Sequence, residues 1–353
     1  MAIADIDLNK IKTLDEFISL VNSVGSIEKA LSNNLYGINH TQVEGILPEN
    51  RDTYGFTFFT RPQLNFTSSN LRNSREFYNL LSTKPASIQR YVRCVLDPRL
   101  ARRTSDPITS PLVDEKMAFI TVLTNNLNSI SGWPDIVAPS FNSASGVRKE
   151  QWSIVDGVTQ IYDAFDIDAT FRNIKNEPII MLMQNWLAYM SAVYEGTLSP
   201  YLDYITTNRI DYNTRIYRLV LDESKRYVKK IAATGASFPV NVPTGKFFDF
   251  NKASKYNDQT KEINIRFKCN GAMYNDPIIV REFNQVSGVF NAEVAKLISG
   301  KKHNLIQIPY RLNDLFNNRG YPVIDTDTYE LKWYIDKSDS AYTRILNLTN
   351  KEK

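Results

Sequence analysis

Residues 261–274 read KEINIRFKCNGAMY. Within them Ile263, Ile265, Phe267 and Cys269 alternate with Glu262, Asn264, Arg266 and Lys268, and a period of two is the spacing at which a strand sends successive side chains to opposite faces. Glu262–Asn270 is therefore predicted to be a strand with one dry face and one wet face. A slip of one residue would bury four polar side chains, so the pattern itself sets the register. Upstream, TRIYRLVLD (214–222) and RYVKKIAATGASF (226–238) are further strand-like runs. The turn Asp222–Ser224 between them suits a hairpin.

Before these strands, QWSIVDGVTQIYDAFDIDATFRNI (151–174) offers one or two more. Pro178 then opens IIMLMQNWLAYMSAVYEG, at the helical position where a missing amide proton costs little. Ile179, Met183, Trp186, Met190 and Val193 fall on one face of this predicted helix over 177–195, and Ile180, Leu187 and Tyr194 widen that face until little is polar. Such a helix must be covered on more than one side, so Trp186, Leu187, Met190 and Tyr194 are expected in the core. Gly196 supplies its stop. The expected class is α+β, an antiparallel β-sandwich or barrel with a packed helix over 151–286.

The flanks read differently. Residues 1–150 are expected to be mostly helical: Thr13 and Glu16 make a capping-box pair, Asn73 and Glu76 open REFYNLL, and Ser87 opens IQRYVRCVL. That last helix must stop near Asp97-Pro98. MAFITVLTNNL from Met117 is another helix candidate, and TYGFTFFTRPQLNF (53–66) favours an extended segment. SGWPDIVAPSFNSASGVRKE (131–150) breaks the helical pattern and marks a boundary or a long loop, a kind of segment that is usually functional or a linker. Residues 287–353 form a small C-terminal extension, with NAEVAKLI helical and NRGYPVIDTDTYELKWYI a turn followed by a strand.

The sequence offers little that could do chemistry. At 353 residues, 42% hydrophobic and 12% aromatic, it can bury more than one core. A formal charge of +4 without a basic block does not indicate general nucleic-acid binding, and Arg99, Arg102 and Arg103 read as a solvated loop or a subunit contact. Cys94 and Cys269 lack CxxC spacing, and His40 and His303 each stand without a second ligand nearby. GxSxG and HExxH are absent. Gly245-Lys246 and Gly300-Lys301 have Val240 and Ala295 where a phosphate loop needs glycine. Asp325, Asp327 and Glu330 lack the central glycine and distal glutamate of a calcium loop, and Asp163, Asp166 and Asp168 lie in a strand whose alternation should split them between faces. No catalytic, cofactor-binding or metal-ligating residues are expected, and no cofactor. No apolar stretch spans a bilayer and no signal peptide opens the chain, which predicts assembly in a cytoplasm without a membrane partner.

From Trp152 to Phe283 the order of features is specific: a strand ending Ala169-Thr170-Phe171-Arg172, a helix carrying Gln184-Asn185-Trp186-Leu187-Ala188-Tyr189-Met190, the hairpin Ile216 to Ala232, Gly235 to Val240, and the alternating strand. This order resembles the tube-forming proteins of contractile bacteriophage tails. The resemblance implies a β-sandwich with a flanking helix that assembles into six-fold rings around a channel. It implies a virion structural protein of the tail tube or of the baseplate tube that initiates it, assembled in the host cytoplasm. Its partners would be copies of itself in a hexameric ring, neighbouring tail or baseplate proteins, and DNA passing without sequence-specific binding. Glu262, Asn264, Arg266 and Lys268 would then lie on a tube surface. Residues 1–150 and 287–353 exceed a plain tube subunit and suit a larger tube-initiating relative or a decorated tube protein of a large phage. A neck, tail-completion or baseplate wedge protein is the alternative, and an enzyme of unrecognised type is a third reading.

Overall fold

The computed structural model describes residues 50–104, 106–157, 163–249, 252, 260–313, 319–340, 342–344 and 347. The chain divides into two compact units, Met1–Asp52 and Thr53–Lys353, and every element below belongs to the second. The helix expected from Thr13 and the residue His40 lie outside the described residues.

The strands are β1 (Thr53–Phe59), β2 (Leu127–Ser131), β3 (Ser140–Asn142), β4 (Ser153–Val155), β5 (Ala164–Arg172), β6 (Ile216–Leu221), β7 (Val228–Pro239), β8 (Glu262–Tyr274), β9 (Leu305–Gln307), β10 (Tyr321–Ile324) and β11 (Leu331–Asp336). The helices are α1 (Ser68–Leu71), α2 (Ile88–Leu96), α3 (Thr121–Asn125), α4 (Pro178–Tyr194), α5 (Leu202–Thr206), α6 (Pro277–Phe290) and α7 (Ala292–Ile298). Six strands form one antiparallel sheet in the order β1-β6-β7-β8-β5-β2, three form a smaller sheet β10-β11-β9, and β3 and β4 make a separate ribbon. The mixed α and β composition with a large antiparallel sheet agrees with the α+β part of the expected class. Segments on both sides of the expected boundary at residue 150 share this sheet, because β1 pairs with β6 and β2 with β5. Before 150, β1 lies in the segment 53–66 expected to be extended, whereas β2 and β3, of five and three residues, lack the clean alternation of β8 and fall where helix or loop is expected.

Two cores lie on opposite faces of the sheet. Adjacent residues on β1 point to different cores, Phe58 to one and Phe59 to the other, and Tyr217 and Ile216 opposite them on β6 do the same. The first core lies where α4 and α2 meet β5 and β8. The second lies where α6 and the small sheet meet β6 and β7.

A bulge makes the exchange of faces possible. Ala233 lies opposite Tyr217, and Ser237 opposite Thr214, so β7 advances four residues while β6 advances three. An extra residue on one strand switches which side chains face each core. The amide of Ile216 loses its ladder partner there and donates instead to the buried Thr234 hydroxyl at 3.0 Å. Gly235 is required at this point, since a Cβ would sit 2.5 Å from the Asn270 carbonyl oxygen.

Local signals account for several helix starts. Ser87 accepts from the Arg90 amide at the start of α2, and Asn291 accepts from the Glu293 amide at the start of α7. REFYNLL is a 3-10 helix, Arg75–Leu81. The helix expected from Met117 contracts to α3, because the Phe119 and Ile120 backbone is drawn into bonding with β1. Sequence reading missed α6, although Asp276 caps it from the position before Pro277.

Candidate assembly surface

The residues expected to pack α4 divide. Trp186 is fully buried, and its indole donates to the Tyr212 carbonyl at 3.0 Å. Leu187 and Met190 are half-buried. Tyr194 is 94% exposed, which corrects the expectation that it lies in the core. The buried seam runs through Ile179, Leu182, Trp186, Tyr189 and Ala192. At roughly 100° per residue Tyr194 stands about 140° from Tyr189 and about 160° from Ala192 by the shorter way round, so it leaves the last turn toward solvent.

Buried polar groups pin the loops around this helix. The Tyr189 hydroxyl donates to the Asp211 carboxylate and receives the Asn65 amide. Asp97 accepts from the Phe66 amide, the Arg99 amide and the Tyr201 hydroxyl. Burial pushes the Asp97 carboxyl up to about 6, against the pull of those hydrogen bonds. Arg99, read from sequence as part of a basic loop, is tied to the protein itself: it pairs with both carboxylate oxygens of Asp203 and stacks on Tyr201 and Tyr204.

The strand expected over Glu262–Asn270 is the first part of β8. Ile263, Ile265, Phe267 and Cys269 are fully buried, whereas Glu262, Asn264 and Arg266 are exposed and Lys268 is half-exposed. The wet row does not stand alone. Register pairs Lys268 with Asp166, Arg266 with Asp168, Asn264 with Thr170 and Glu262 with Arg172, so Asp166 and Asp168 share one face, as alternation requires of residues two apart, while Asp163 lies just before the strand. Lys268 reaches Asp166 at 3.0 Å and Arg266 reaches Asp168 at 3.1 Å, and the carboxylate raises the guanidinium pKa of Arg266. Glu262 also accepts from the Asn128 side chain on β2 at 3.1 Å.

Exposed pairs of this kind each contribute at most about 1 kcal/mol, so stability alone does not explain the row. Its electrostatic result is neutrality, with three carboxylates set against three cations across one strand pair.

The ends of the sheet are the other notable feature. Every neighbouring pair is antiparallel and there are six strands, so β1 and β2 run in opposite directions. Among the described residues no strand pairs with the outer side of β2, and beside β1 the run Ala118–Ile120 bonds Phe59, Thr60 and Arg61 at its end, leaving the start of the strand open. Open edges expose unpaired amides and carbonyls that bind another strand.

Among the described residues no group of three or more His, Cys, Asp or Glu is placed to hold a metal ion, and no helix is long and apolar enough to cross a membrane. The turn Asp325–Glu330 uses its first carboxylate on the Asp327 and Thr328 amides and on Lys332. Both cysteines are free and buried.

A family model described as "Putative phage tail tube protein" matches residues 4–350. None of the curated proteins compared with the chain matches it. Solved structures similar to part of it include the sheath/tube terminator of an extracellular contractile injection system in its extended state (12% identity, 42% of this chain and 85% of that one, TM-score 0.25). The tube-terminating cap of the anti-feeding prophage is another (14% identity, 42% and 79%, TM-score 0.27). A third is a sheath-tube complex of an extracellular contractile injection system (13% identity, 45% and 82%, TM-score 0.25).

Proposed function

The chain belongs to the phage tail tube protein family, and on that premise we propose that it is a structural subunit whose copies close into a ring, of six-fold order by resemblance, in the tail tube or its baseplate end. The observation that carries this reading is the pair of oppositely directed open edges. When β2 of one copy meets β1 of the next, the two strands are antiparallel, and the pattern of the sheet continues across the joint. Repeating a head-to-tail joint of this kind gives a ring if the rotation closes, and rings of one subunit can stack. Closure also removes the edges that would otherwise invite aggregation.

In such a ring the row Glu262, Asn264, Arg266 and Lys268 forms part of the wetted wall. Because each cation is already matched by a carboxylate on β5, the wall releases few counterions to a phosphate backbone and holds DNA weakly. Where that wall faces the channel, DNA passes without a deep binding well. The remaining partners in this reading are neighbouring tail or baseplate proteins, and the place of assembly is the host cytoplasm.

Electron microscopy of the purified chain tests the proposal. Rings or stacked rings are the expected particles. Monomers at every concentration would contradict it.

A further inference from the structure

Residues 132–157 form an arm that leaves the sheet where the edge strand β2 ends. Gly132 starts it with a φ of +99°, and a Cβ there would lie 2.2 Å from the Asp166 carbonyl oxygen. The stem is fixed. Trp133 packs against Phe165 and Tyr274 with ring centroids 6.4 and 6.2 Å apart, and the Tyr274 hydroxyl donates to the Pro134 carbonyl at 2.6 Å.

The ribbon beyond the stem contributes no residue to any of the hydrophobic cores. β3 and β4 pair Ser140 with Val155, Phe141 with Ile154 and Asn142 with Ser153, and the Ser143 amide extends the ladder to the Trp152 carbonyl. Alternation then places Phe141, Ile154 and Trp152 on the same face, 53%, 61% and 75% exposed. Val155, Ile136 and Val137 on the same arm are exposed too.

Two physical facts make this arrangement incomplete in a single chain. An isolated two-stranded ribbon is marginal in water, and soluble monomers rarely expose a contiguous apolar patch above a few hundred Å². With aromatic side chains offering about 150–250 Å² each and aliphatic ones somewhat less, the Phe141–Trp152–Ile154 face exposes roughly 400 Å², while Val155 points to the other side of the ribbon. One partner in a standard protein interface contributes about 800 Å². The face therefore supplies about half of one side of such a contact, the apolar centre of an interface whose remainder lies on the adjoining sheet edge.

We propose that a second copy of this chain covers the Phe141–Trp152–Ile154 face, making the arm a clasp between subunits. The inference rests on the ring reading, and it deepens that reading by assigning an apolar contact to a segment outside the sheet. Three observations select a copy of the same chain as the occupant: the face is continuous in the chain with the open edge β2, the arm begins at the end of that edge where the ring reading seats a neighbour and supplies the apolar share the solvated edge lacks, and the family is one of tube proteins.

The test compares the full wild-type chain with a triple variant, Phe141→Ser, Trp152→Ser and Ile154→Ser. The readouts are particle size and amide hydrogen exchange over 140–155, in dilute and concentrated protein. Assembled wild type should exchange this segment at least about tenfold more slowly than dilute wild type, and the variant should need at least about tenfold more protein to assemble. Thermal unfolding of the compact unit should be unchanged, since these side chains touch no core. Rings that form while 140–155 still exchanges at the dilute rate, or a variant that assembles like wild type, would overturn the clasp and leave the ring reading standing. Protection that appears only when another tail protein is added would overturn it as well. Wild type that never self-associates would remove the ring reading and the clasp together.

Discussion

Trp186 and Tyr194 stand on the same helix and have opposite surroundings, one without solvent contact and the other 94% exposed. Replacing Trp186 with alanine should cost about 3–5 kcal/mol in urea unfolding, through lost burial, a cavity and an unpaired Tyr212 carbonyl. Tyr194→Ala should stay within about 0.5 kcal/mol in the same measurement. Titratable residues give a second test at this scale. Burial raises Asp97 to about 6, so the folded chain holds a proton on it that an unfolded chain has released, and its contribution to stability falls as pH rises from about 4 through about 6. Asp325 and Asp336 act in the opposite sense. Lys332 and Lys116 hold them near 2, so their contributions are lost as pH falls from about 4 through about 2. Chemical unfolding followed across pH should therefore show the fall between 4 and 6 in wild type and a flatter profile in Asp97→Asn, with the acid limb retained in both.

At the scale of elements, the row on β8 is matched strand to strand by β5. Reversing Arg266 and Lys268 to glutamate would place like charges opposite Asp168 and Asp166. The cost should be about 1–2 kcal/mol, because the row is solvated and its hydrophobic reverse is intact. Circular dichroism and thermal melts should find the fold retained while assembly changes; a chain that fails to fold would refute the division of faces. This strand was legible in sequence because its alternation is uninterrupted over eight residues. The matching carboxylates were not, since Asp166 and Asp168 acquire their meaning only from the register with β8, which local spacing does not contain. α4 was legible from Pro178 and its apolar run, but its exposed end was not, because an all-apolar helix does not state which side lacks a neighbour. The bulge at Thr234–Ala236 was invisible for a similar reason: a threonine hydroxyl that serves a backbone amide on the next strand looks like any other polar residue in a run. α6 had a readable start at Asp276-Pro277, and the strand preceding it drew the reading past that signal.

For the whole molecule, the central claim is that the two ends of the six-stranded sheet are complementary ends of one joint. Exposed positions lie on both: Tyr54 on β1, and Asn128, Ser129 and Ser131 on β2. The native thiols Cys94 and Cys269 are buried, so disulfide cross-linking of introduced cysteines has a quiet background. The direct measurement pairs Tyr54→Cys with cysteine at position 128, 129 or 131 in turn, oxidises the assembled protein, and resolves the products under denaturing, non-reducing conditions. The account predicts that at least one pairing yields a ladder of covalent multimers ending at the size of a closed ring. Assemblies that form normally while none of the three pairings cross-links would contradict it.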